Sequence, residues 1–124
     1  MRVKKLLDSI GRDVDTVSPD ETVYDALALM AKKEIGALVV VEKGKMVGIF
    51  SERDYARKII LKGKSSKKTR VGEIMTSDVI HVSPDHKVDK CLSLMTKKRI
   101  RHMPVLDKDK LVGLLTIEKI KGKT

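Results

Sequence analysis

The sequence predicts an α/β (α+β) fold, two β-α-β-β-α repeats packed about a pseudo-twofold axis, and three observations carry the prediction. Val14–Asp54 and Val79–Lys119 follow one pattern written twice. Adding about 65 to a number in the first copy gives its partner, as with Pro19 and Pro84, Met30 and Met95, Gly48 and Gly113. No gap is needed, and about 17 of the roughly 41 paired positions are identical, far above chance for a repeat. Within each copy the apolar pattern changes from a helical period to two short apolar runs separated by turn residues. Finally, one unit of about 50–60 residues buries too little surface to be comfortably stable alone, whereas two can close a shared core.

Each copy opens on a short extended run, Val14–Val17 and Val79–Val82. Ser-Pro-Asp follows (Ser18–Asp20, Ser83–Asp85). Proline fixes φ and fits a helix's first turn, and the preceding serine can cap the exposed N–H groups. Val23, Ala26, Leu27 and Met30 then fall at helical spacing, with Val88, Cys91, Leu92 and Met95 in register. Lys32, Lys33, Lys97 and Lys98 close these helices, where the dipole is negative.

Two strands come next. Ala37–Val41 and Met103–Leu106 are apolar almost throughout, hence buried on both faces. A tight turn over residues 42–45 or 107–110 leads to Met46–Phe50 or Leu111–Leu115. Ser51 and Thr116 are natural N-caps for a last helix. After Ser51 it carries Tyr55, Ile59 and Leu61 on one side; after Thr116 it is cut short by Gly122. Short amphipathic pieces, Val3–Leu7 and Val71–Met75, precede the copies and pack across them. The expected division is 1–62 for the first repeat, 63–70 for a linker and 71–124 for the second repeat.

Composition narrows the function. Of 124 residues 41% are hydrophobic but only 2% aromatic, so Val, Ile, Leu and Met must fill the core. No apolar run approaches the ~18 residues that span a bilayer, and no membrane partner is expected. The basic start is interrupted by Asp8, which argues against a secretory signal. Cys91 has no cysteine to pair with and reads as a small buried residue, in keeping with a reducing, cytoplasmic setting. The formal charge of +10 favours anionic partners. Much of it lies in Lys58–Arg70 and Lys119–Lys123, either a solvated linker and tail or a field that draws in phosphates. No P-loop is present, His81, His86 and His102 lack ligand partners at metal spacing, and Ser18 and Ser51 show no catalytic arrangement. An enzyme is not expected, and neither is a required cofactor.

The marks V-x-x-VSPD, the hinge RIRHMPVLD and the segments VGIFSERD and VGLLTIEK, in order and mostly twice, resemble the CBS domain. Two in tandem resemble a Bateman module, over nearly the whole chain from about Val3 to Ile120. The resemblance implies dimerisation into a flat disc. It also implies an adenosyl compound in the cleft between the copies, and regulation of an attached or associated protein.

Ser51-Glu52-Arg53-Asp54 sits where a strand gives way to a helix. Its hydroxyl, carboxylate and free N–H groups suit a ligand, and an acceptor-only carboxylate can take both hydroxyl protons of a ribose. They equally suit a capping box, with Asp54 at the third position. The family pattern Gly-h-(Ser/Thr)-x-x-Asp is matched from Gly48 with one residue more before the serine, and it implies that Asp54 holds ribose. The second copy keeps the hydroxyl in Thr116 but has Lys119, a donor only, in place of the aspartate, so one good site is expected rather than two.

The hinges differ as well. Ile35, Gly36 and Ala37 are small or apolar, whereas Arg101 and His102 precede Met103 and Pro104. Arginine can engage phosphate by two parallel N–H bonds, and exposed loop residues would look the same. The resemblance implies phosphate contacts at this hinge. Val17, Ile35, Ala37, Leu38, Val82 and Met103 are candidates for walls around a base, and Arg53 and Arg57 for further phosphate contacts. The leading expectation is a stand-alone regulatory module sensing an adenine nucleotide, AMP ahead of ADP and ATP, as a homodimer with an effector protein. The alternatives are a nucleic-acid binder, an S-adenosylmethionine binder and a purely structural dimerisation module.

Overall fold

A computed structural model describes residues 1–122 and divides them into two compact units. One is Asp15–Val79. The other joins Met1–Val14 to the chain from Ile80 onward. The spatial units therefore cut the chain differently from the repeats: each leading amphipathic piece packs with the copy it does not precede.

In the Asp15–Val79 unit, helix α2 (Val23–Lys33) buries Val23, Ala26 and Met30, one face at helical spacing. Its N-cap is Thr22, whose hydroxyl accepts from Asp25 N–H. Ser-Pro-Asp is thus a turn before the helix rather than its first turn: Ser18 Oγ accepts from Asp20 N–H at 3.1 Å instead. Strand β1 is only Thr16–Val17 and runs parallel to β2 (Ala37–Glu42), which pairs antiparallel with β3 (Lys45–Ser51). Lys43 and Gly44, with φ of 53° and 78°, make the hairpin turn, a left-handed pair that glycine eases. Helix α3 (Glu52–Tyr55) passes into a π-helical turn, Ala56–Ile60. Ile59 is buried, but Leu61, expected on the same side, is 76% exposed.

Residues 63–70 fold back as part of this unit. The carbonyls of Thr69 and Ser66 accept from Val23 and Tyr24 N–H, both at 2.9 Å, satisfying donors that a helix start leaves open. Helix α4 (Val71–Ile74) then buries Val71 and Ile74 in the core of Val17, Leu38, Val40 and Phe50.

The second unit repeats the design. Helix α1 (Val3–Ile10) buries Val3, Leu6 and Leu7. It takes the place that α4 holds in the other unit: Val3 N–H donates to His86 C=O as Val71 N–H does to Glu21 C=O, each at 2.8 Å. Helix α5 (Val88–Lys98), strands β4 (His102–Asp107) and β5 (Lys110–Thr116) and helix α6 (Ile117–Lys121) complete it. The strand expected at Val79–Val82 reduces to one parallel bridge, Val82 to Val105. Cys91 is wholly buried, and desolvation pushes its thiol pKa up, consistent with an inert packing residue.

Candidate functional site

The sheet register brings hinge and cap together inside each unit. In the first repeat Ala37 pairs with Ser51, and Gly36 C=O accepts from Glu52 N–H at 3.1 Å. In the second His102 pairs with Thr116, and Arg101 C=O accepts from Ile117 N–H at 3.2 Å. Two corners result, alike in backbone and opposite in chemistry.

At the first corner the capping box is closed. Ser51 Oγ accepts from Asp54 N–H at 3.3 Å, while Asp54 Oδ2 accepts from Ser51 N–H at 3.0 Å and from its hydroxyl at 3.2 Å. Asp54 Oδ1 accepts from Thr76 Oγ1 and meets Lys58 Nζ, each at 3.0 Å. A carboxylate has about four acceptor positions, so these four contacts occupy it fully. Asp54 is only 6% exposed, and burial of a charge is tolerated because it is paired and hydrogen-bonded.

Thr76 and Lys58 were not singled out in the sequence. Lys58 stands four residues after Asp54, a spacing that could have found it; its ammonium also donates to Ile74 C=O at 2.9 Å. Thr76 comes from the segment after α4 and reaches Asp54 because Ile49 and Thr76 exchange two backbone hydrogen bonds, both 2.9 Å. Gly48 permits that approach: a Cβ there would lie 2.6 Å from Met75 Sδ and 2.8 Å from the Thr76 carbonyl oxygen.

At the second corner Thr116 Oγ1 accepts from Lys119 N–H at 3.1 Å, and Lys119 itself is exposed. Arg101 is bound to Glu118, whose Oε1 accepts from Nε at 3.2 Å and also from Nη2. Those bonds hold the Glu118 carboxyl below its ordinary pKa. His102 is half-buried at the start of β4.

The remaining candidates divide by burial. Val17, Ala37, Leu38, Val82, Met103 and Pro104 are buried. Val17 and Leu38 belong to one core and Val82 and Met103 to the other. Ile35 is half-buried and, with Gly36, lines an open depression of about 340 Å³ whose other walls are Leu27, Met30, Ala31, Glu34 and Glu52. Arg53 and Arg57 are exposed, and their guanidinium groups have no partner among the described residues. The basic run is partly committed. Lys58 serves Asp54, Lys67 Nζ lies 5.0 Å from the centre of the Tyr24 ring, and Arg70 Nη1 donates to Asp20 C=O. Among the described residues no cluster of His, Cys, Asp or Glu suits a metal, and no helix is long and apolar enough to cross a membrane.

Known proteins agree with this architecture. CBSX3, a mitochondrial CBS domain-containing protein of Arabidopsis thaliana, is 43% identical over 93% of this chain. The chain spans 60% of that relative's length. The solved structure of a protein with CBS domains from Burkholderia ambifaria is 48% identical, with a TM-score of 0.94 over 99% of this chain and 93% of that one. A hexameric CBS-CP12 protein from bloom-forming cyanobacteria is 28% identical, with a TM-score of 0.86 over 100% of this chain and 68% of its own. The CBS domain model itself matches residues 3–61 and again 71–122, so the chain belongs to the CBS-domain family, as a tandem pair.

Proposed function

We propose that this pair is a regulatory module that senses an adenine nucleotide, AMP ahead of ADP and ATP, and signals to a partner protein. One observation carries the reading: the repeats are alike in backbone and complementary in polarity. The first offers a buried carboxylate acceptor, Asp54; the second offers donors, Arg101 and His102. A ribose needs acceptors for its hydroxyl protons and a phosphate needs donors, so a nucleotide matches both. One Arg–His pair suits one phosphate better than three. Because Asp54 is fully occupied by its own chain, a ribose must replace a contact there. Lys58, whose side chain is 41% exposed, is the partner best able to turn to water. A change at Lys58, and through it at the Ile74 carbonyl, is how occupancy would reach the rest of the unit.

Calorimetry with AMP, ATP and S-adenosylmethionine tests the reading. AMP should bind most tightly. Asp54→Asn should weaken it at least tenfold and Lys119→Ala should leave it unchanged; no heat with any of the three refutes the reading. A double-mutant cycle on Asp54 and Arg101 reports whether one ligand uses both. The same reading includes self-association as a homodimer, the cyanobacterial relative being itself an oligomer, and a cytoplasmic setting.

Nucleic-acid binding is the second reading. It is favoured by Arg57, Lys62, Lys64 and Lys68, exposed cations without a partner among the described residues. A gel shift that disappears steeply with salt would support it.

A further inference from the structure

Arg101 and Glu118 form an ion pair that the first repeat does not contain. Their counterparts are Gly36 and Arg53: the hinge gains a cation in the second repeat, and the helix position changes from positive to negative. The register explains the meeting. His102 opposite Thr116 places the residue before β4 beside the first turn of α6. Glu118 uses a single oxygen, Oε1, to accept from both Nε and Nη2 of Arg101. The two side chains are 59% and 61% exposed. Carboxylate and phosphate both fit the guanidinium fork, and Glu118 holds the Nε–Nη2 edge of Arg101 that a phosphate approaching from that side needs.

We infer that Glu118 is an internal competitor for a phosphate at the Nε–Nη2 edge of Arg101, a specificity-determining residue that must yield before a phosphate takes that edge. The inference rests on the reading of Arg101 as a phosphate contact. Exposed ion pairs are weak, so displacement lowers affinity by about two- to fivefold rather than closing the site. The penalty falls only on ligands that carry phosphate. The displaced carboxylate also stays close by, and its repulsion grows with the charge on the ligand, so ADP and ATP are disfavoured more than AMP.

Glu118→Gln tests this directly, because an exposed site tolerates the change and glutamine keeps the shape without the charge. In calorimetry the variant should bind AMP about two- to fivefold tighter, ATP by a larger factor, and adenosine unchanged. An equal or weaker affinity for AMP overturns the inference, and so does an equal gain for adenosine. Inorganic phosphate gives a second measurement that needs no nucleotide. Followed at the Arg101 Nε–H resonance, its titration should tighten in Glu118→Gln while Arg53, which has no internal competitor, is unaffected. If no adenosyl compound binds either protein, the nucleotide reading falls and the phosphate titration still decides on Glu118. If phosphate leaves Arg101 undisturbed in both proteins, or acts on them equally, Glu118 is not a competitor.

Discussion

The corner at Ser51–Asp54 and the corner at Thr116–Lys119 share a backbone and little else. Ser51 and Thr116 have nearly the same dihedral angles, −126° and 167° against −124° and 153°, and each hydroxyl caps the helix behind it. Glu34 and Arg99 both end their helices left-handed, at φ of 55°. Yet Asp54 turns into the unit and ties four groups together, while Lys119 stands in solvent and the polar contact shifts to Arg101 and Glu118 at the surface. This scaffold is therefore specified by apolar residues, turns and caps. Its polar corner is free to invert, as Asp54 against Lys119 and Gly36 against Arg101 do.

Removing the two residues that stand in equivalent places should separate the two corners most. Asp54→Ala leaves the Ser51 N–H, the Thr76 hydroxyl and the Lys58 ammonium without their acceptor. We expect a loss of about 2–4 kcal/mol, below the extreme for a buried pair because Lys58 is partly exposed and can rehydrate. Lys119→Ala should stay within about 0.5 kcal/mol. Urea denaturation of both variants measures this, and equal losses would mean that Asp54 is no more structural than a surface lysine. Hydrogen exchange should localise the damage, with faster exchange at the Ile49 and Thr76 amides in Asp54→Ala.

The glycines in β3 and β5 should separate the two units by a smaller amount. Both are hemmed in, but by different things. A Cβ on Gly48 would sit 2.8 Å from the Thr76 carbonyl oxygen, backbone fixed by its two hydrogen bonds to Ile49. A Cβ on Gly113 would come closest to the methyl groups of Leu7, at 2.7 and 3.0 Å, and a side-chain tip can turn away. Gly48→Ala should therefore cost about 1–3 kcal/mol, and Gly113→Ala distinctly less. Thermal unfolding of the two variants decides it. A larger loss at Gly113 would show that the α1 contact is the stiffer one.

The repeat, the two hairpins and the buried faces of α2 and α5 were legible in the sequence because each is a local periodic signal. Reading Ser-Pro-Asp as a first helical turn failed because serine satisfies a turn as readily as a cap, and Thr22 lay three residues before the donor it serves. The strands at Val14–Val17 and Val79–Val82 shrank because a parallel pairing at a sheet edge needs only one or two residues. At the site, the capping box of Ser51 and Asp54 could be read from its spacing. Thr76 could not, since it arrives from 22 residues away along a path that only packing defines. The exchange of leading segments did leave a trace: Arg2-Val3 and Arg70-Val71 are a second, offset repeat. Each arginine donates to the carbonyl of an aspartate in the turn of the other copy, Asp85 and Asp20.

The smallest effect concerns acidity at the second corner alone. Arg101 lowers the Glu118 pKa first through its hydrogen bond and then through its charge, with His102 adding in the same direction. A carboxylate whose folded pKa lies below its unfolded one, about 4.3 for glutamate, favours the folded state at pH above that range. The contribution is lost as pH falls through the lowered folded value, and Arg101 is then released. With both side chains well exposed, solvent screening limits the effect to about 0.2–1 kcal/mol, less at high salt. The stability difference between the native protein and Glu118→Gln should therefore be present at neutral pH and vanish as pH falls through the lowered Glu118 range. Arg53→Gln, at the helix position of the first corner, should show no such dependence. Denaturation curves at a series of pH values would reveal it, and a difference that stays constant with pH would mean that the pair contributes nothing through its charge.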